Sequence, residues 1–519
     1  MNPIELSLFS SRLAAVCDEM GVVLRNAAFS TNIRDRLDFS CAVFDANGGL
    51  CAQAAHIPVH LGSMAFAMAD LVAGQDWTPG DMVIVNDPYL GGTHLPDVTL
   101  IAPVFVASER VAFVVNRAHH ADIGATAPGS MPVSRTLHDE GLVIPPSHLI
   151  RAGTLDQEHL ARLIGAMRNP TDAQGDFMAQ VSANRCGVAR LREWVERQGV
   201  AVFQAGLGEL DAYAERLARQ LIGALPDGIY RFVDVMDDDG QGQTDIRLEV
   251  ALEIAGDRVS ADFTGTAAQV PGNINCPLSV TAAAVYYAFR CLMPAQTPAC
   301  AGAFRPIRLS APPGSLLNAR FPAAVAAGNV ETSNRVVDLV LGALAQAIPE
   351  RIPAASQGTM NNLAMGSADP AAGWDYYETL GGGMGSGAEG GGWSGVQTHM
   401  TNTLNTPVEV LETRFPLRVT AYGVRRGSGG AGRRPGGDGL VREFEFLAPA
   451  EVTLLTERRC HGPWGLVGGG AGAVGRNWLD GQPLPAKVAL QVAPGARLRI
   501  ETPGGGGWGD AGRGVPMES

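Results

Sequence analysis

Lysine is nearly missing from this chain. Of 39 basic residues among 519, Lys487 is the sole lysine and the rest are arginine. A Schiff-base mechanism needs a lysine amine, and a phosphate-loop ATPase needs the lysine of GxxxxGK[ST]. Lys487 follows Ala486 in LPAKVAL, so no such loop exists, and any ATP used with this chain is expected on another subunit. No serine lies in a GxSxG frame, which argues against a nucleophile-elbow hydrolase. There is no CxxC pair: Cys17, Cys41, Cys51, Cys186, Cys276, Cys291, Cys300 and Cys460 stand singly, which excludes a zinc ribbon and points to a reducing cytoplasm. No apolar run approaches the roughly 20 residues that span a bilayer. The opening MNPIELSLFSSRL, with Glu5 ahead of any basic residue, does not resemble a signal peptide. A net charge of -13 with dispersed arginines argues against a nucleic-acid partner.

What is present is the composition of a globular protein, 46% hydrophobic and 18% charged. At roughly 150 residues per domain the length suggests two to four lobes. Leu6, Phe9, Leu13, Val16, Met20 and Val23 recur at helical spacing and predict a helix over 3–28. Residues 38–115 change to short strands (FSCAVF, DMVIVN, VTLIAPVF, VAFVVN) between turns rich in Gly, Pro and Asn. Helical periodicity returns over about 155–224, strands over about 226–310, and helices near 279–292 and 334–348. The expectation is an α+β fold of several mainly antiparallel sheets with packed helices. Its regions divide as 1–170, 171–225, 226–355 and 356–519. Beyond residue 356 glycine is dense, and tight turns between strands are its expected use. The run MDDDG at 236–240 lacks the ligand pattern of an EF-hand and reads as a solvated turn, and Cys460-His461 lacks a third member for thiol catalysis.

The chemistry concentrates in NDPYLGGTHLPDVTL and NRAHHADIG. His94 and Asp97 stand three apart after Gly91-Gly92, with Pro96 between them, and a hairpin over Val98–Val106 and Arg110–Val115 returns His119 toward His94. Imidazole and carboxylate donors of this kind hold a divalent cation at hydrolytic sites. The Gly-Gly turn is expected to let the backbone pass close to such an ion. For a single histidine after a strand, a hydrogen-bonded structural role is the default.

Taken jointly, NDPYLGGTHLPD, NRAHHADIG, SQGTMNNL, YYETLGGGMG, GVQTHMTNTLNTPVEVLE, SGGAGRRPGGDGLVREFEF and ETPGGGGWGD resemble the hydantoinase B and oxoprolinase family, in order and over nearly the whole chain. The resemblance implies a subunit of an ATP-dependent cyclic-amide hydrolase in a hetero-oligomer with a hydantoinase A-type subunit. That partner binds ATP and phosphorylates the amide oxygen. Water activated at the metal of this chain then attacks the ring carbon. A subunit of an ATP-dependent ketone carboxylase, or a scaffold without catalysis, are the alternatives.

The resemblance also implies metal ligands at His94, Asp97 and His119, with Asp38 of the RxDFS segment as a further candidate; which of Asp38 and Asp97 binds directly stays open. Zinc or manganese is expected. His120 is expected to orient its neighbour or act as acid or base, and Asp122 or Asp87 to serve as general base. His56 and His60 would line the cavity, and Asn361, Asn362, His399, Thr401 and Asn402 would hold substrate or its phosphate. For each of these a satisfied turn or core position is the plainer reading.

Overall fold

The computed structural model describes residues 1–54, 56–369 and 373–512. The runs read as strands in the first third form β1 (Phe39–Asp45), β2 (Leu50–Gln53), β3 (Met82–Val85), β4 (Asp97–Val106), β5 (Glu109–His119), β6 (Ser147–Arg151) and β7 (Thr154–Leu155). They make one sheet in the order β2-β1-β5-β4-β3-β6-β7, antiparallel at every pairing. The β4–β5 hairpin places Asp97 directly opposite His119 and Thr99 opposite Arg117.

Helices cover both faces. α1 (Pro3–Ala27) starts at a capping box between Asn2 and Glu5 with Pro3 in its first turn. A one-turn α2 (Thr31–Arg34) leads into β1. α3 (Pro58–Ala73) interrupts a stretch whose sequence reads as strands and loops. Its exposed face, Phe66, Ala69, Asp70 and Ala73, holds a single charged residue and so shows little polar stripe, while Leu61, Met64, Met68 and Val72 pack on the sheet with Phe113 and Val115. On another side Gly62 is pressed against α7 (Leu278–Leu292), where a Cβ would stand 2.6 Å from the Ala283 backbone.

On the opposite face lie α4 (Gln157–Gly165), α5 (Pro170–Gln198) and α6 (Val200–Ile222). Leu13, Val114, Phe177, Leu191 and Phe203 belong to one buried cluster. The division expected at residue 170 therefore does not separate two cores, because α5 lies across the first sheet. Burying each such side chain contributes about 1.5–3 kcal/mol.

The middle region pairs β8 (Gly228–Asp238), β9 (Thr244–Ala255) and β10 (Arg258–Asp262) antiparallel, with β11 (Ile307–Ser310) parallel to β10. α8 (Ser333–Leu344) packs against β8 and β9, entered through a π-helical turn over Gly328–Thr332. The MDDDG run is not a solvated turn. Asp237 and Asp239 are buried, and their carboxylates accept backbone N–H bonds from Arg459, Cys460, Gln241 and Gly272.

The last region holds two sheets. One runs β13 (Asp375–Glu378), β12 (Asn362–Ser367), β16 (Ala450–Leu455), β19 (Lys487–Val492). The other runs β14 (Leu417–Arg425), β15 (Gly439–Phe446), β20 (Arg497–Glu501), β17 (Arg476–Leu479), β18 (Gln482–Leu484). The short α9 (Val408–Arg414) precedes β14. Much of the glycine does not make turns. Around residues 383–392, 429–437, 465–472 and 504–507 the segments lie backbone on backbone; a Cβ on Gly383 would stand 2.0 Å from the Gly437 carbonyl oxygen. Hydrogen bonds join Gly505 to Gly437, Gly430 to Gly505 and Gly507 to Gly470. Glycine is needed there because a side chain would occupy the neighbouring strand's backbone.

Candidate metal centre

One end of the first sheet gathers the chemistry. His119 ends β5, Asp97 begins β4 opposite it, and the Asp38 carbonyl accepts from His119 N at 3.0 Å just before β1. His94 comes from the loop ahead of β4, which turns at Gly91 with φ 98. The expectation that the Gly-Gly backbone approaches an ion needs correction. A Cβ at Gly92 would meet the carbonyl oxygens of Asn86 at 2.5 Å and Asp87 at 2.7 Å, so the close approach is to the chain itself. The two carbonyls instead accept from side chains, Gly91 from Arg117 at 3.1 Å and Gly92 from Ser279 at 2.8 Å.

His94 Nε2, His119 Nδ1 and Asp97 Oδ1 form an equilateral triangle with all three sides 3.3 Å, fully inside the protein. A tetrahedral face with metal–ligand bonds of about 2.0 Å has edges of about 3.3 Å. An octahedral face with similar bonds has edges of about 2.9 Å. The donor set and spacing fit a four-coordinate cation with one position left for a further ligand. Two buried atoms at the triad, Asp97 Oδ1 and His119 Nε2, find no hydrogen-bond partner among the described residues. Buried polar atoms without partners are rare, and the carboxylate oxygen belongs to the triangle itself.

The surroundings set the ionisation. Burial works against the charge of Asp97, but His60 and His94 outweigh it and hold the carboxyl well below the usual carboxylate range. Burial likewise opposes protonation of His94, and Asp97 more than offsets it, so this imidazole is raised. For His119 burial wins over Asp97 and its pKa falls, leaving a neutral ligand. Because a carbonyl can only accept, the 3.3 Å contact of His94 Nδ1 with the Ala326 oxygen makes Nδ1 a donor, and once Nε2 gives up its proton its lone pair faces the centre.

The hydantoinase B/oxoprolinase family profile matches residues 2–511. The chain belongs to this family. It is 39% identical to 5-oxoprolinase 1 of Arabidopsis thaliana over 98% of its own length and 42% of that protein. It is 32% identical to a Pseudomonas protein named as a putative D-/L-hydantoinase B-type subunit, covering 98% of this chain and 90% of the relative. The chain thus spans about two-fifths of the 5-oxoprolinases it matches. The ATP-dependent caprolactamase from Pseudomonas jessenii superposes with a TM-score of 0.91 at 29% identity, over 98% of this chain and 91% of that one. Acetone carboxylase superposes at 0.86 with 18% identity, over 98% and 76%, a likeness of fold.

In this member of the hydantoinase B family the other expected residues divide into those near the triad and those elsewhere. Asp38 is outside the triangle: its Oδ1 lies 4.0 Å from His60 Nε2 and its Oδ2 lies 3.7 Å from Arg36. His60, expected to line a cavity, instead reaches Asp97 Oδ2 at 3.2 Å. His56 faces the Cys41 backbone N–H, and the Asn402 amide donates to the His56 carbonyl. Its pKa is lowered to about 4 by burial.

His120 does not orient His119. Successive residues of an extended chain point to opposite faces, so His120 contacts α5, with Nε2 2.9 Å from Gln180 Oε1 and its ring against Phe177. Asp122 is a turn residue whose carboxylate accepts from Gly124 N, Ser130 Oγ and Arg168 N. Asp87 caps the next turn through Tyr89 N.

Asn361 and His399 belong to a different polar cluster. Asn361 bonds Gln357 and Arg459, and His399 Nε2 lies 2.9 Å from Asp338, which also meets Arg458. Both have left-handed backbones, φ 47 and 60. Asn362 is closer in connection: its Oδ1 accepts from Tyr377, whose ring stacks on His119 at 4.5 Å. Thr401 contacts Thr403, which accepts from Arg36.

Several neighbours of the triad lie outside the sequence expectations: Thr93, whose hydroxyl donates to Asp97 Oδ2; Asn329, whose Nδ2 donates to the same oxygen at 3.4 Å; and Tyr377. Thr93 sits inside the NDPYLGGTHLPD motif and is within reach of sequence reasoning. Asn329 and Tyr377 are more than 200 positions away and carry no local signal.

Proposed function

We propose that this chain is the metal-binding subunit, of the hydantoinase B type, of an ATP-dependent cyclic-amide hydrolase in the hydantoinase, 5-oxoprolinase or lactamase class, acting on a ring phosphorylated by a hydantoinase A-type partner. The observation that carries the reading is the buried 3.3 Å triangle of two imidazoles and a carboxylate. Relatives named as 5-oxoprolinases, a D-/L-hydantoinase component and an ATP-dependent caprolactamase support the reaction class. The absence of a phosphate-loop lysine from the sequence agrees with ATP being held elsewhere.

His94, Asp97 and His119 would hold a divalent cation, zinc or manganese, which when bound would supply Lewis acidity and lower the pKa of water from about 15.7 toward neutrality. The protein's own groups do the rest. Asp97 stays ionised, His60, Thr93 and Asn329 fix its second oxygen, and the Ala326 carbonyl fixes the tautomer of His94. Among the described residues His119 Nε2 is buried and finds no hydrogen-bond partner. The compartment is proposed to be cytoplasmic; among the described residues no helix is long and apolar enough to cross a membrane.

The test is to co-produce the chain with its ATP-binding partner and assay ATP-dependent opening of hydantoin, 5-oxoproline and lactams. Turnover should require both subunits and fall to background in His94→Ala and His119→Ala. Full turnover by a metal-stripped double variant overturns the metal role, and ring opening by the partner alone assigns this chain as a scaffold. Incorporation of labelled bicarbonate into an acid product would point instead to ketone carboxylation.

A further inference from the structure

The triad is held on one side by its own strands, which fix Asp97 and His119. The other side is a strap from the middle region, Pro322–Asn329, that supplies the Ala326 carbonyl to His94 Nδ1 and the Asn329 amide to Asp97 Oδ2. Residues 322–325 are irregular backbone, and Ala326 and Ala327 open the helical turn that continues into Gly328–Thr332. Other elements hold its backbone at several points: the Pro322 carbonyl accepts from Leu137 N, the Ala323 carbonyl from Tyr89 Oη at 2.7 Å, and Gly328 N donates to the Asn273 carbonyl. The Ala324 carbonyl accepts from the Asn275 side chain at 3.0 Å.

Between those anchors a single charged group grips the strap. Glu140, at the end of the 3-10 turn Leu137–Glu140, is fully buried. Its Oε1 accepts from Ala326 N at 2.9 Å, from Val325 N at 2.9 Å and from Ser134 Oγ at 2.7 Å, and its Oε2 is 3.2 Å from Val325 N. A buried carboxyl is expensive unless several donors meet it, and these donors come from the residue whose carbonyl orients His94 and from its neighbour. Glu140 is 46 positions from His94 and 186 from Ala326; its hydrogen bonds go to the strap and to Ser134, and its charge acts on His94 through space.

We propose that Glu140 is a positioning residue for the metal centre: by clamping Val325 and Ala326 it sets the carbonyl that fixes the tautomer and direction of His94. The inference rests on the metal reading above. Groups that hold a metal-ligating histidine in place typically change metal affinity by about 10–100-fold when removed.

The experiment uses the full chain, stripped of metal and titrated with Co2+ and, against a competing chelator, with Zn2+. Glu140→Ala should weaken both metals by about 10–100-fold and alter the visible absorption of the Co2+ form. Glu140→Gln keeps an oxygen at the Oε1 position and should bind within about threefold of wild type with the wild-type spectrum. Ser134→Ala, which removes one bond to Glu140 but none to the strap, should also leave affinity and spectrum in place. If Glu140→Ala does not fold, Glu140→Asp, which retracts the carboxylate by one methylene, takes its place with the same expectation. Wild-type affinity and spectrum in folded Glu140→Ala or Glu140→Asp overturn the proposal. Failure of the wild-type chain itself to bind either ion overturns the metal reading, a distinguishable result.

Discussion

Lys487 offers a sharp test of how the C-terminal region is joined to the middle of the molecule. Its Nζ lies 2.6 Å from Glu457 Oε1 with both side chains fully buried, and Asp238 stands 3.7 Å away at the end of β8. At an effective dielectric of about 20 such a contact amounts to about 6 kcal/mol before desolvation is subtracted. Removing one partner of a buried pair typically costs about 3–5 kcal/mol, because the remaining charge is stranded. Arg335 still reaches Glu457 Oε2 at 3.1 Å, so the lower end applies and Lys487→Met should destabilise by about 3 kcal/mol. Adding Glu457→Gln should recover at least about 1 kcal/mol of that loss, since the stranded charge goes with it.

Charge from neighbours outweighs burial at Lys487 and raises its pKa above 10.5. A raised base contributes stability below its unfolded pKa and loses it as pH climbs through the folded one, so the penalty should be constant through neutral pH and shrink only in strong alkali. Urea titration of wild type, both single variants and the double variant reads the cycle. Acylation of the native protein followed by peptide mapping should find Lys487 unmodified until unfolding. A Lys487→Met penalty below about 0.5 kcal/mol, or no recovery in the double variant, would refute the argument.

Adjacent histidines should separate cleanly. His119→Ala should lose bound metal by elemental analysis, while His120→Ala should retain it and lose about 1–3 kcal/mol of stability from an unpaired Gln180; metal loss in His120→Ala alone would invert the assignment. Gly92→Ala, whose Cβ would press on the Asn86 and Asp87 carbonyls, should displace the His94 loop and cost about 1–3 kcal/mol, and an unchanged midpoint with full metal content would contradict it. Burial pushes the Glu331 carboxyl up to about 8 from 4.5. The folded chain therefore holds a proton that the unfolded chain releases, and stability from this group falls as pH rises across that window. Glu331→Gln should flatten the decline between about pH 5 and 8, and parallel stability curves for variant and wild type would count against it.

The spacing of apolar residues is enough to find α1 and the helices over 157–222, which present one face to a core and one to water, and the strands of the first sheet, covered on both faces, show as short apolar runs between turn residues. It fails at α3, whose exposed face of Phe66, Ala69, Asp70 and Ala73 is mostly apolar, and at the MDDDG run, where Asp237 is satisfied by backbone donors from residues 459 and 460. The glycine runs read as turns because local sequence does not show that the neighbour filling the space of a missing Cβ is another glycine segment.

By itself the sequence determined which residue types could meet: His94 and Asp97 in one rigid loop, His119 at the end of a hairpin strand, and no lysine to serve a phosphate loop. Only tertiary structure groups Asp97 rather than Asp38 with His94 and His119, because the cross-strand register sets Asp97 opposite His119 while Asp38 stands one neighbour away behind His60. It likewise turned His120 to the far face and brought in Ala326, Asn329 and Glu140. The reason is physical: local spacing fixes the order and facing of side chains along one element, whereas a cation site needs atoms within a few ångströms, a separation set by how distant elements pack.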